Sequence, residues 1–511
     1  MKPNKRIGII DIGSNSVRLG IYEQTGRLSH RVIDESKKAA RLSERIGSDG
    51  RLGEKDILAL AETLEQFKLL CSANRTAQIR AVATAAIRNA ANSAEIVAKL
   101  IRLTGLDIEV LSGKEEARLG FVGMINSLSV EDGFLVDIGG GSTEVTLFRN
   151  RKIVNSVSFP FGSVNTAKRF SRGGLLEPSD LALIRRMVEE AVRREPWIRS
   201  QPGLPLIGLG GTIRTLGKLV QRQTKYSLPM THNFDIAPPR VESVLDRLTA
   251  LSLEKRNKLD GVSKDRADII VPGLVILQTL FRQMRAAHYK ISGAGLRDGL
   301  LFEAAFPGQP VISDVAEYSV RHMLSLYPSV PLAHVEQVNR LALKLFDDLA
   351  PVHGLGESER RCLHTASLLY RIGVAVNFYS YSKHTFYLMA HSRMDGLTHR
   401  EILLCGLIAS YKTKNRTRHA YLAHKDILSE PDCSLAVTLG TLLRLAAALD
   451  RSETQPVAEL TATAGRKTLD LHLQCSRLPQ LETAEVETVE KEFKKVWGLT
   501  PRCRAVVFST I

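Results

Sequence analysis

The chain has 511 residues, 44% apolar and 24% charged, a balance that suits a globular protein and excludes a disordered or low-complexity one. That length exceeds a single hydrophobic core, so roughly three or four domains are expected. The formal charge of +16 suits a polyanionic partner, although charge alone does not choose among nucleic acid, an acidic membrane surface and a phosphate polymer.

The chain opens on Met1-Lys2-Pro3-Asn4-Lys5-Arg6 with no apolar signal region. Its longest apolar stretch, 269–281, is interrupted by Pro272, Gln278 and Thr279 and is too short to span a bilayer. The six cysteines show no CxxC spacing and read as reduced thiols, so a cytoplasmic location with no membrane partner is expected.

The first element is a strand ending at Asp11, followed by the turn Gly13-Ser14-Asn15-Ser16 and a second strand entered through Arg18. A near copy follows, with a strand ending at Asp137, the turn Gly139-Gly140-Gly141-Ser142, and a return strand through Thr143 and Glu144. Such a repeat predicts two similar α/β domains, each opening with a β-hairpin. Glycine lets the backbone approach a ligand closely, so successive N–H groups can point at one anion. Ser16, Ser142 and Thr143 add hydroxyl donors, and each aspartate offers a hard oxygen ligand for Mg²⁺ or for its waters. Two such turns facing across a cleft would grip a phosphate chain from both sides.

Between the hairpins, Ile57, Ala61, Leu64 and Phe67 predict an amphipathic helix over 54–70, and 78–82 reads as a strand. The segment after it places Thr84 and Arg88 beyond a strand's carboxyl end, where a substrate phosphate is within reach. A strand over 108–111 then meets a helix that begins Ser112-Gly113-Lys114-Glu115-Glu116. Ser112 and Glu115 stand in capping-box relation, which gives Glu115 a structural task and leaves Glu116 free. A carboxylate at the edge of a cleft can deprotonate water for in-line attack on phosphorus.

The second domain continues with a strand over 153–159, a turn at Phe161-Gly162-Ser163-Val164-Asn165, and a helix capped by Ser179 with Ile184, Val188 and Val192 on one face. Leu206 to Arg214 reads as a strand, a glycine turn and a helix start. Tyr289 to Gly299 closes the domain, with Ser292 and Arg297 as lesser cleft candidates. Pro307, Gly308 and Pro310 mark a boundary, and helices are expected over 312–328, 331–350, 357–373, 398–411 and 434–452. A small α+β segment ends the chain, with a strand at Leu469–Leu473, a helix over 482–496 and a strand over 504–508.

The two aspartate–glycine loops together resemble the phosphate loops of the exopolyphosphatase and guanosine pentaphosphate phosphatase family, over at least residues 1–310. The resemblance implies an α/β fold of two actin-like (ribonuclease H-like) domains facing a cleft, at 1–125 and 126–310. It further implies an all-helical HD-like domain at 311–455 and a small α+β cap at 456–511. It implies Glu116 as catalytic base, Asp11, Asp137 and Glu144 on the metal side, and Arg88 with both loops on the phosphates. Mg²⁺ or another divalent cation is the cofactor so implied, and a homodimer the assembly. Tyr370-Arg371 stand where an HD site would need His-Asp, so His334, His384 and His391 are too few ligands for a dinuclear centre. The domain is therefore read as a binding or dimerising platform. The activity implied is removal of terminal phosphates from inorganic polyphosphate, with the 5′ γ-phosphate of guanosine pentaphosphate (pppGpp) as the alternative substrate. An actin-superfamily ATP-binding kinase or chaperone is disfavoured by Glu116. A nucleic-acid module has only the charge in its favour, since no stacking platform or reading motif is evident.

Overall fold

The computed structural model describes residues 5–26 and 29–508; the first four residues of the segment read for a signal region lie outside them. The chain forms two units, the first of residues 1–225 and 229–315, the second of 226–228 and 316–511.

In the first unit, strands β1 (Arg6–Ile12), β2 (Ser16–Gly26), β3 (Ser29–Ala39), β4 (Gln78–Ala83) and β5 (Ile108–Val110) make one sheet in the order β3-β2-β1-β4-β5. β1 runs antiparallel to β2 and parallel to β4. Both faces of β1 are covered, which is why it reads as a near-continuous apolar run. Ile10 and Ile12 pack with Ile57, Leu60, Leu64 and Phe67 of the helix Glu54–Ala73. Ile9 packs on the other face with Leu119, Leu300 and Leu301.

The second sheet repeats the plan. β6 (Gly133–Ile138), β7 (Thr143–Arg149), β8 (Lys152–Phe159), β9 (Leu206–Leu209), β10 (Asp235–Ile236) and β11 (Tyr289–Ile291) lie in the order β10-β11-β9-β6-β7-β8. The expected pair of like lobes is therefore present, each with three antiparallel strands and then parallel strands reached through helices, the second adding β10 as an antiparallel edge. The apolar stretch near 270 is a helix, Ile270–Met284, sunk in this lobe. Among the described residues no helix is long and apolar enough to cross a membrane.

The helix Gly113–Ile125 lies between the sheets. It gives Leu119 to the first core, and Phe121, Met124 and Ile125 to a cluster with Leu135, Phe148 and Ile207 of the second. The helix Leu296–Ala305 follows the last strand of the second sheet, yet it buries Leu300 and Leu301 in the first lobe. The two helices cross where glycine permits it: a Cβ on Gly123 would fall 2.2 Å from the Gly295 carbonyl oxygen. One rigid crossing thus carries the chain back to the first lobe and holds the start of the helix 113–125 beside both sheets.

One helix start differs from expectation. Pro178, not Ser179, sets it: the helix is Pro178–Arg193, Glu177 is its N-cap, and Asp180 accepts the Glu177 N–H at 2.9 Å. Proline at a first helical position costs no hydrogen bond, because that N–H has no intrahelical partner.

The second unit holds the expected helices as Val315–Ser325, Leu332–Asp348, Glu357–Leu369, His399–Ala409 and Glu430–Ala448. Two further helices, Tyr381–His391 and Lys414–Leu422, had no clear sequence signature; the latter buries only Thr417 and Tyr421, too few for an apolar stripe. β12 (Val457–Ala464), β13 (Thr468–Cys475) and β14 (Thr500–Val507) form the last sheet, backed by the helix Gln480–Trp497. Gln337 Nε2 donates to the Val457 carbonyl at 2.6 Å, which ties this sheet to the helices.

Candidate active site

β1 and β6 each carry an aspartate one residue before their last, Asp11 and Asp137, and each strand turns through its loop into an antiparallel partner. The turns close alike, with Gly13 N–H on the Ser16 carbonyl at 3.2 Å and Gly139 N–H on the Ser142 carbonyl at 3.0 Å. The loops touch. A Cβ on Gly140 would lie 2.9 Å from Ser14 Cβ and 3.2 Å from the Asn15 nitrogen, so glycine is what lets the two turns meet.

Between them lies a cavity of about 150 Å³. Gly13, Ser14, Asn15, Ser16 and Arg18 line it from one lobe, and Gly139, Gly140 and Ser142 from the other. Asp11, Asp137 and Glu116 face the same space. The juxtaposition expected from the repeat is therefore realised. Asn15 is 8% exposed, and among the described residues neither polar atom of its amide has a hydrogen-bond partner. An unsatisfied buried amide is costly, and at a cavity wall it implies a ligand that satisfies it.

Other sequence-predicted residues lie outside the cavity wall. Thr143 is fully buried and donates its hydroxyl to the Phe161 carbonyl at 2.6 Å. Gly141 sits against Ser14 and Ser43. Glu144, opposite Asp137 in the ladder, turns behind the site and accepts from Ser158 Oγ at 2.7 Å. Arg88 reaches Glu116 instead of the open cleft. Its Nη1 donates to Glu116 Oε2 at 2.7 Å and to the Leu111 carbonyl at 2.9 Å.

Glu116 stands in the first turn of its helix, where Ser112 Oγ accepts the Glu115 N–H at 3.1 Å. The cap is half of the expected box, because the Glu115 carboxylate goes to Arg118 at 2.9 Å. Glu116 remains directed at the cleft. Burial lifts its ionisation to about 7, against the pull of Arg88 and with the push of Asp137 and Asp11. Burial also raises Asp11, and lifts Asp137 to about 6. Glu144 is held well above the usual carboxylate range by burial and by its neighbours Glu116 and Asp137.

Four arginines, Arg18, Arg214, Arg266 and Arg297, line the same cavity opposite these acids. Burial and repulsion from Arg18 and Arg266 push Arg214 down to about 10. Arg266 has no sequence signature, since it stands in an irregular segment before a buried helix. That segment is fixed by Lys37 to Asp265 at 2.5 Å and by both Asp268 oxygens on Arg41 at 2.6 Å. The one available hint is the alternating charge of Lys264-Asp265-Arg266-Ala267-Asp268 just ahead of an apolar run.

The acids fit a hard divalent cation in a limited way. Their mutual repulsion is what a cation relieves, and one buried oxygen of Glu144 has no hydrogen-bond partner among the described residues. Among the described residues no three carboxylate, imidazole or thiolate groups come together as a metal cage. A cation here would thus take one or two protein carboxylates and fill its shell with water and phosphate oxygens, the usual habit of Mg²⁺ beside phosphates.

The sequence matches the model of the Ppx/GppA phosphatase family over residues 21–306, and that of Ppx/GppA phosphatase domain III over 315–492. A crystal structure of the Aquifex aeolicus member of that family is 28% identical, with a TM-score of 0.51, over 58% of this chain and 97% of that one. A second structural study of the A. aeolicus enzyme gives 29% and 0.50, over 58% and 99%. A Cytophaga hutchinsonii protein described as an exopolyphosphatase is 22% identical, with a TM-score of 0.55 over 59% of this chain and 98% of its own, a likeness of fold. The two lobes are the actin-like pair of these structures, followed by a helical third domain and a small C-terminal sheet. With the family models covering both units of the chain, this protein belongs to the Ppx/GppA phosphatase family.

Proposed function

We propose that this protein is an exopolyphosphatase, which removes terminal phosphates from inorganic polyphosphate by attack of a water activated by Glu116. The observation that carries the reading is the meeting of Glu116, Asp11 and Asp137 with four arginines around one small cavity. Backbone donors of both loops and the amide of Asn15 hold the terminal phosphoryl group. Arg18, Arg214, Arg266 and Arg297 neutralise its oxygens as charge spreads in the transition state. Glu116, with ionisation near neutrality, takes the proton of the attacking water. Asp11 and Asp137 would hold Mg²⁺ or its water shell, and such an ion, when bound, offsets phosphate charge and orients the leaving oxygen.

Arg88 is a positioning residue in this scheme. Its removal takes the guanidinium partner from Glu116, so the carboxyl should hold its proton to higher pH. Arg88→Ala is expected to move the acid limb of the kcat/KM profile upward and to lower activity at pH 7 by about tenfold, with partial recovery at pH 8.5. A uniform loss at all pH values would assign Arg88 to substrate binding instead.

The double name of the Ppx/GppA phosphatase family keeps the γ-phosphate of guanosine pentaphosphate as the second reading. Phosphate release is to be measured from polyphosphate of defined length and from the nucleotide, each with and without Mg²⁺. Faster turnover of the polymer, dependent on the metal, is the expected result. Preference for the nucleotide would reverse the assignment within the same chemistry.

A further inference from the structure

The helical unit contains a cavity of about 790 Å³, of a size that holds a cofactor or nucleotide. Its basic lining residues are Arg371, Lys412, Arg416, Arg444 and Arg451, against two acids, Glu453 and Glu485. Both acids are spent within the wall, Glu453 on Arg371 at 2.5 Å and Glu485 on Arg451 at 3.3 Å. Lys412, Arg416 and Arg444 face the space with no carboxylate partner among the described residues. Arg444 is fixed there by donating to the Lys412 carbonyl at 3.0 Å. Arg371 adds a buried Nε with no acceptor among the described residues. Such a set of cations repel one another until a multivalent anion sits among them.

The rest of the wall is of another kind. Ile408 and Leu443 make an apolar floor, and Phe378 stands at the cavity 64% exposed. An inorganic phosphate chain has no surface to offer these groups, whereas a nucleobase stacks on an aromatic ring and covers apolar atoms. At the back, His334 is closed off: Nδ1 meets Asp450 at 2.7 Å and Nε2 meets the Tyr370 hydroxyl. With both ring nitrogens engaged, His334 is part of the wall and the cations and apolar groups are what face a ligand.

We infer that this cavity is a binding site for a nucleoside polyphosphate, its phosphates on Lys412, Arg416 and Arg444 and its base against Phe378 and the apolar floor. The site shares no residue with the cleft and does not depend on the reaction proposed there.

The test is calorimetric titration of the full-length chain with GTP, ATP and inorganic tripolyphosphate, in EDTA so that no hydrolysis occurs. It compares Lys412→Ala/Arg444→Ala, Phe378→Ala, and the cleft variant Arg214→Ala. The cleft variant should retain one nucleotide per chain, bound at least tenfold more tightly than tripolyphosphate. The double variant should weaken that event by roughly tenfold or more. Arg416 and Phe378 are exposed, so Arg416→Ala and Phe378→Ala repeat the test should the double variant fail to fold. The inference is overturned if nucleotide binding is lost in Arg214→Ala and unchanged in the pocket variants. It is equally overturned if tripolyphosphate binds the pocket as tightly as GTP, which would make it a tract for the inorganic chain.

Discussion

Glu116→Gln should lower turnover of polyphosphate by about a hundredfold or more while leaving its affinity within a few-fold of the parent. Glutamine keeps the shape and can still accept from Arg88, but it cannot take a proton from water. Binding should survive because the loops and the four arginines are untouched. The parent enzyme should also show an acid limb in its rate profile near pH 7, set by the burial that lifts Glu116 to about 7. Comparing single-turnover phosphate release with equilibrium binding checks both halves. A glutamine variant with a third of the parental turnover would remove Glu116 from the role of base.

Asp137→Asn should act in opposite directions on activity and on stability. Turnover should fall by on the order of a hundredfold, since the variant loses a charge that would hold the cation or its waters. Stability should rise. Asp137 is buried beside Asp11, and its ionisation lies at about 6 in the folded chain against an ordinary value of 3.8. The folded state therefore binds the proton more tightly than the unfolded state. The associated stability is fully present below about pH 4 and is lost as pH rises through about 6. Above that pH the charged side chain costs about 3 kcal/mol, which asparagine avoids. Thermal melts without divalent ions should place the variant several degrees above the parent at pH 8 and level with it at pH 4. Added Mg²⁺ should raise the parent's Tm and leave the variant's nearly unchanged. A variant less stable at pH 8 would show that the carboxylate is held by partners and not strained by its neighbours.

These effects show how much chemistry is packed into residues that a linear reading finds easily, and how much is not. The charge of Glu116 was traceable because Ser112 caps the helix and occupies the residue three positions on. Yet the carboxylate of Glu115 left that cap for Arg118, so the local rule was half obeyed and its consequence for Glu116 still held. Thr143 and Glu144 stand in the return strand beyond the second turn, where Thr143 donates to the Phe161 carbonyl and Glu144 accepts from Ser158 while feeling the charge of Glu116 and Asp137.

The sequence by itself determined the two hairpins, their paired aspartates, the helix that presents Glu116, and the split into paired α/β lobes and a helical region. Each of these is written in short-range terms: apolar alternation, a glycine turn, a cap, a repeat. Only the tertiary structure decided that Arg214 and Arg266 join Arg18 and Arg297 around the cavity, and that Arg88 pairs with Glu116. Arg266 stands on an irregular segment with no periodicity, and the helical pattern around Arg214 does not say what its polar side meets. Their destination is set by distant partners, as Lys37 and Arg41 hold Asp265 and Asp268 and so aim Arg266 inward.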